Sequence, residues 1–308
     1  MSTQTQNKRS YSLTAWKSLG ILRAVEDRSL FVIDSAYHNP AALDRPVILM
    51  LHGFPTSSWD WQHQWDTLAA DFRVIAFDML GFGFSEKPYR HRYTIHEQAD
   101  LAEALISDLG VGPFSVLAHD YGDTVAQELL ARDNDRVETG EQTGSIRAVC
   151  LLNGGLFPET HRARRAQKLL VGPAGGLFVK LFGEKALARN LTNVFGKNTP
   201  PSQEELNNFW YLTLYNNGRR NLHRLMWYMK DRIEHRSRWL SALVDTSAPL
   251  ALINGSSDPV SGSHMVQRYK QLVGKGEIIE LPDIGHYPQL EAPDDVTQHS
   301  AQFLRKHI

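Results

Sequence analysis

The segment Phe114–Ala126, FSVLAHDYGDTVA, constrains the chain more than any other stretch. An apolar run from Phe114 to Ala118 breaks at His119-Asp120-Tyr121-Gly122, after which apolar residues resume at helical spacing. That pattern predicts a strand, a very tight turn and a helix, with Asp120 at the tip of the turn. Ala118 and Gly122, two positions either side of Asp120, are small. A strained turn that exposes one side chain leaves no room around it, so small neighbours are what it needs. Such turns usually carry serine, in G-x-S-x-G. Here the residue is aspartate.

The rest of the chain can be weighed by what it could build around that carboxylate. Its 308 residues are long for one core and short for two full domains, so a core domain with an insertion fits. Hydrophobic residues make up 42%, enough for a buried core. Lys and Arg total 33 against 34 for Asp and Glu, so no nucleic-acid or anionic-membrane partner is expected. The basic run Arg162–Arg165 reads as a solvated helix face. One cysteine, Cys150, lies in the apolar run AVCLL and cannot form a disulfide within the chain, which agrees with a reducing, cytoplasmic setting. The first dozen residues are polar and read as disordered, with no secretory signal. The most apolar window elsewhere, Leu169 to Phe182, is too short and interrupted to span a bilayer.

In chain order, Ile21 to Ala36 alternates around Glu26-Asp27-Arg28 and predicts an edge hairpin. A solid apolar run follows at Val47–Leu51, and further strands read at Arg73–Phe77, Phe114–Ala118, Ile146–Leu152, Pro249–Ile253 and Glu277–Leu281, with a helix at Ile95–Leu109. Short apolar strands alternating with helices predict a mostly parallel, doubly wound α/β sheet buried on both faces. From Leu156 to about Thr246 no buried strand is expected. Ser202 with Glu205 forms a capping box that starts a helix carrying Phe209, Trp210, Leu214 and Tyr215 and stopping near Gly218. A second helix, about Asn221 to Ile233, presents Leu222, Leu225, Met226, Trp227 and Met229, and a third covers about Arg238 to Val244. The division expected is a core in two parts, 1–155 and 247–308, around an all-helical cap at 156–246.

Parallel strands share a carboxyl end, which is where open sheets place their sites. Four strand ends carry relevant groups: His52-Gly53-Phe54-Pro55, Asp120, Asp258 in NGSSDPV, and His286 in DIGHYPQLEAP. Nucleophile, acid, histidine is the chain order of Asp120, Asp258 and His286. Asn153, at another strand end, is not acidic, which favours Asp258 as the acid. His52 and His119 read as structural hydrogen-bonding groups. His161, His223, His235 and His264 show no metal-ligand spacing, and GFGF lacks the G-x-G-x-x-G spacing of a dinucleotide site, so no cofactor and no metal are expected.

These motifs carry a resemblance. HGFP, the D-x-x-G-x-G-x-S-x-x-P run from Asp78 to Pro88, HDYG and the late GH resemble α/β-hydrolases of the epoxide hydrolase and haloalkane dehalogenase branch. HGFPTSS, GFGFSEKP, HDYGDTVAQELL, NGGLFPETHR and HYPQLE are similar to the mesoderm-specific transcript family. The likeness runs from about Val47 to Glu291 and is weakest in the cap. It implies an α/β-hydrolase fold with an inserted helical cap.

With aspartate as nucleophile, the carboxylate displaces a leaving group from carbon and forms an ester, which water then cleaves. His286 would be the base for that water, and Asp258 would hold its imidazole. The N–H groups of Phe54 and Tyr121 are the natural oxyanion donors. Epoxide hydrolases of this fold use cap tyrosines as acids. Tyr228 is the first candidate and Tyr215 the second, while Tyr211 reads as packing. Dehalogenases usually place Trp after the nucleophile and Asn or Trp after His-Gly; here those positions are Tyr121 and Phe54. Opening of a hydrophobic epoxide by water therefore leads, with Phe54, Trp210, Leu214 and Trp227 expected along an apolar pocket. Haloalkane or haloacid dehalogenation, and a non-enzymatic or differently acting member, stay open. A homo-oligomer is compatible with the sequence.

Overall fold

In a computed structural model, residues 10–141, 144–162 and 175–307 are described. Eight strands form one sheet: β1 (Ile21–Val25), β2 (Arg28–Asp34), β3 (Val47–Leu51), β4 (Arg73–Phe77), β5 (Phe114–His119), β6 (Ile146–Leu152), β7 (Leu250–Gly255) and β8 (Glu277–Leu281). Their order across the sheet is β1-β2-β4-β3-β5-β6-β7-β8. The first two strands make the antiparallel edge hairpin, turning at Glu26 with φ 50°, and β2 runs antiparallel to β4. Every other pairing is parallel. The carboxyl ends of β3, β5, β6 and β7 therefore meet on one edge.

β3, β4, β5 and β7 are buried at every position, as solid apolar runs require when helices cover both faces. β8 departs from that expectation. It is the far edge strand, and Glu277 and Glu280 stay exposed. The helices are α1 (Leu13–Leu19), α2 (Trp65–Ala69), α3 (Ile95–Asp108), α4 (Tyr121–Glu138), α5 (Gly175–Leu181), α6 (Glu184–Thr192), α7 (Gln203–Leu214), α8 (Leu222–Leu225), α9 (Tyr228–Glu234), α10 (Arg236–Asp245), α11 (Ser263–Leu272), α12 (Pro288–Glu291) and α13 (Pro293–Lys306). Between β6 and β7 the described residues form helices and connections only.

The capping box starts α7 as its sequence requires: Ser202 Oγ accepts from Glu205 N–H at 3.1 Å, and Glu205 Oε2 accepts from Ser202 N–H at 2.7 Å. This helix ends earlier than Gly218. It stops at Leu214 because Asn216 and Asn217 take left-handed backbone, φ 51° and 57°. The expected single helix over 221–233 is broken between α8 and α9. Continuous helical spacing would keep Leu222, Leu225, Met226, Met229 and Ile233 on one inward face. Instead the buried face rotates to Tyr228, Asp231 and Arg232, while Ile233 and Trp227 are exposed. Polar contacts decide that rotation. Asp231 Oδ2 accepts the Ile95 N–H at the start of α3, and Arg232 reaches the β5–α4 turn. Next, α10 lies along α4, where Trp239 Nε1 donates to Glu128 at 2.8 Å and Gln127 donates to the Trp239 carbonyl.

The helical segment is also tied to the core by Lys87. Its buried ammonium donates to the carbonyls of Gly83, Leu212 and Tyr215. Residues 1–9 and 163–174, on which the readings of a disordered start and a solvated basic face partly fall, lie outside the described residues.

Candidate active site

The site is built on the turn between β5 and α4. Asp120 has φ 47° and ψ −100°, a conformation that L residues rarely adopt and that a surrounding structure must enforce. The enforcement is visible on both sides. Asp120 N–H donates to the Leu152 carbonyl at 3.1 Å and Gly122 N–H to the His52 carbonyl at 3.0 Å. A Cβ at Gly122 would collide with the Leu51 carbonyl oxygen, so the small residue is a condition of α4 packing this close to β3.

Three carboxyl-edge elements converge on Asp120. From the β3 loop, the Phe54 N–H donates to Asp120 Oδ2 at 3.1 Å. From the loop after β8, His286 Nε2 stands 4.0 Å from the same oxygen, and His286 Nδ1 bonds Asp258 Oδ2 at 2.7 Å. Asp258 is buried but saturated with donors: Val260 N–H on Oδ1, and Ser261 N–H, Ser261 Oγ and Asn153 Nδ2 on Oδ2. Asn153, at the end of β6 with φ 45°, also exchanges two hydrogen bonds with the Gly255 backbone. The non-acidic residue at that strand end thus braces the acid.

Electrostatics divide these groups. Burial works to raise Asp120, but the positive charges of His286 and Arg232 outweigh it and hold the carboxyl below its usual range. Burial likewise opposes the shift at Asp258, which His286 and the donors hold down at about 2. For His286 burial favours the neutral ring, yet Asp258 and Asp120 raise it to about 9. Asp123, three residues past Asp120, is pushed well up by burial. His119 is lowered to about 3 by burial and by His286; it bonds the His286 carbonyl through Nε2 at 2.8 Å. His52 bridges the Gly53 carbonyl and the Met79 N–H.

The chain matches the α/β hydrolase fold family model over residues 46–293. It belongs to that family. Among its relatives, the mesoderm-specific transcript homolog protein of Bos taurus is 41% identical over 292 residues, covering 92% of this chain and 85% of that protein. Epoxide hydrolase 3 of Xenopus tropicalis is 34% identical over 104 residues, 33% of this chain and 28% of that protein. Among solved structures, the haloalkane dehalogenase DbeA-M1 loop variant from Bradyrhizobium elkanii superposes with a TM-score of 0.78. It covers 93% of this chain and 96% of that one at 22% identity, a likeness of fold. No described helix is long and apolar enough to cross a membrane. Among the described residues no group of three or more His, Cys, Asp or Glu side chains is arranged to hold a metal ion.

The remaining expected residues separate into two groups. Tyr228 is fully buried beside the site, its ring 4.9 Å from that of Tyr121 and 6.1 Å from that of Phe54. Burial and the Asp120 charge both push its hydroxyl up. Tyr215 sits elsewhere: its ring packs on Phe84 at 5.1 Å and lies under the ammonium groups of Lys17 and Lys87. Trp210 packs half-buried on the core. Leu214 and Trp227, expected along the pocket, are 42% and 40% exposed. The helix ending at Leu214 and the break before Tyr228 turn both outward, and the Lys230 ammonium lies over the Trp227 ring.

Arg232 escaped the sequence reading altogether. It is 2% exposed, and its Nη2 donates to the Asp120 carbonyl at 3.0 Å and lies 3.5 Å from Asp120 Oδ1. Its Nε donates to Thr124 Oγ1 at 2.8 Å, and its guanidinium lies 4.5 Å from the centre of the Tyr228 ring. The one available signal was its spacing, four residues after Tyr228, which puts both on one helix face.

Proposed function

We propose that this hydrolase-family chain opens an epoxide to a vicinal diol through a covalent ester on Asp120. What carries the reading is Asp120 itself: an ionised carboxylate at the strained turn, with the Phe54 N–H on Oδ2 and His286 Nε2 4.0 Å away. One carboxylate oxygen attacks an epoxide carbon, the ring C–O bond breaks, and the alkoxide takes the Tyr228 proton. An acid held protonated by burial suits that step, and the guanidinium over its ring steadies the phenolate that results.

Loss of the Asp120 charge then removes one of the two carboxylates that keep His286 protonated, and the proton it gives up restores the Tyr228 hydroxyl, leaving the neutral imidazole to act as base. Water attacks the ester carbonyl carbon and gives its proton to His286, which Asp258 orients. The Phe54 and Tyr121 N–H groups receive the oxyanion. Collapse breaks the bond to the diol oxygen, which takes that proton back from His286, and the second water proton, left on the Asp120 carboxyl, passes to His286 and restores the carboxylate and the imidazolium. Residues 156–246 serve as the cap that brings Tyr228 and Arg232 over the core parts 1–155 and 247–308, and Phe54 and Trp210 supply apolar lining. Tyr215 has no part in this reading.

Dehalogenation uses the same nucleophile, and the structural neighbour named above is a dehalogenase. Tyr121 and Phe54 lack the indole or amide donors that hold a departing halide, which favours the epoxide. The test is incubation with styrene oxide and a haloalkane panel, with Asp120→Ala as control and His286→Gln to trap the ester. Diol from the wild type, none from Asp120→Ala, and an adduct mass on Asp120 in His286→Gln are expected. Halide without diol would overturn the epoxide reading, and an intact fold without any adduct would point to a differently acting member.

A further inference from the structure

We infer that Arg232, with His161 beside it, forms an anion subsite at the reacting centre, so that the substrate carries a carboxylate next to its electrophilic carbon. This rests on the aspartyl-ester reading and narrows the substrate class within it.

A guanidinium taken out of water is costly unless its N–H groups are paired. Arg232 pairs through Nε with Thr124 and through Nη2 with Asp120, whereas Nη1 is buried with no partner. His161 shows the same feature independently: both ring nitrogens are buried and without a partner. The two side chains converge. A Cβ at Gly155 would collide with Arg232 Nη1 and stand 3.0 Å from His161 Nδ1. Burial and the Arg232 charge lower His161 to about 4, so its neutral ring offers one N–H donor.

If Arg232 served only to neutralise Asp120, Nη2 alone would suffice, and a buried donor and an imidazole would be left idle. A carboxylate accepting from Nη1 and from the imidazole N–H satisfies both with charge-assisted bonds. Because Nη2 of the same guanidinium touches Asp120, that carboxylate sits one or two carbons from the atom Asp120 attacks. Phe54, Tyr121 and Tyr228 form an aromatic cluster beside it, with the Arg232 guanidinium 4.5 Å from the centre of the Tyr228 ring. A 2,3-epoxy acid with an aryl substituent meets both demands.

The test compares kcat/KM on trans-3-phenylglycidate and on its neutral analogue trans-β-methylstyrene oxide. The wild type should favour the glycidate. Arg232→Gln should slow both substrates, because the guanidinium also serves Asp120 and Tyr228, but the ratio of glycidate to neutral-epoxide kcat/KM should fall on the order of 10- to 100-fold, mostly through the glycidate KM. Arg232→Lys keeps the charge without the fork and should recover part of the glycidate rate. Equal losses on both substrates, or a wild-type preference for the neutral one, would overturn the subsite.

Calorimetric binding of 3-phenylpropanoate to Asp120→Asn, with and without Arg232→Gln, separates this from the chemistry. Binding that Arg232→Gln abolishes upholds the subsite even if no epoxide is opened, and binding that survives Arg232→Gln refutes it. Diol formation without carboxylate preference keeps the proposed reaction and refutes the subsite. Halide release from 2-bromo-3-phenylpropanoate, lost in Arg232→Gln, keeps the subsite and replaces the epoxide by a haloacid.

Discussion

Replacing Asp120 by Asn removes one of the two carboxylates that hold the His286 proton, at nearly unchanged volume. His286 Nε2 stands 4.0 Å from Asp120 Oδ2. Unit charges at that distance attract by about 4 kcal/mol at an effective dielectric of ~20, equivalent to about 3 pKa units. Arg232 lies against the same carboxylate and offsets part of its field, so a fall of about 2 units from about 9 is the expected result.

The assay is a nitrogen-detected NMR titration of the His286 imidazole in the two proteins. Stability gives a second readout with a definite sign. A histidine raised in the folded state contributes stability that is complete below about pH 6.5 and is lost as pH rises to about 9. The difference of about 2.5 units corresponds to at most about 3.5 kcal/mol. Asp120→Asn should flatten that decline. Midpoints that agree within about half a unit between the two proteins would refute the idea that Asp120 holds the His286 proton. Since esterification removes the same charge, the Asn variant also reports the basicity of His286 in the covalent intermediate.

Three further outcomes follow from the packing. Asn153→Ala breaks three hydrogen bonds around Asp258 and Gly255 and leaves a β-carbon in left-handed backbone; urea denaturation should show a loss of about 2–4 kcal/mol. Gly122→Ala drives a Cβ into the Leu51 carbonyl, so α4 must move off β3 at a cost of about 2 kcal/mol or more by the same measurement. Lys87→Met leaves the carbonyls of Gly83, Leu212 and Tyr215 without their shared donor. Hydrogen exchange at the carboxyl end of α7 should then accelerate, with a stability loss of about 2 kcal/mol.

The core was readable because its signals are local. Val47–Leu51, Arg73–Phe77 and Ile146–Leu152 are apolar runs, Glu277–Leu281 carries Ile278 and Ile279 between two glutamates, and each is a strand with those bounds. The capping box at Ser202 and the small residues about Asp120 are equally short-range. The helical segment was harder because its shape depends on partners far away in sequence. Two consecutive asparagines in left-handed backbone end α7, and nothing within α7 itself announces it. The inward face of α9 is chosen by the Ile95 N–H and by Asp120, which are distant in the chain, so Trp227 and Leu214 fell on the wrong side of a periodicity argument. Arg232 was invisible for the same reason. Among thirty-three basic residues, its burial against Asp120 distinguishes it, and that is a property of the assembled fold.

If the substrate is the epoxy acid proposed above and reacts through an ester on Asp120, the charges around Asp120 give Arg232 a role beyond neutralisation. Asp120 and Asp258 are held down as anions beside the cationic His286 and Arg232, while burial pushes Asp123 up and lowers His119 and His161. The resting site is balanced, two against two. A carboxylate-bearing substrate makes it one charge too negative, and the repulsion falls mainly on Asp120, which shares Arg232 with the newcomer. Ester formation removes the Asp120 charge and the repulsion with it. Destabilisation present in the bound state and relieved as the bond forms lowers the barrier rather than merely tightening binding. The same exchange leaves the substrate carboxylate as the only anion facing Arg232 in the intermediate. His286 then keeps Asp258 as its partner and loses its second anchor at the step where it must accept a proton from water.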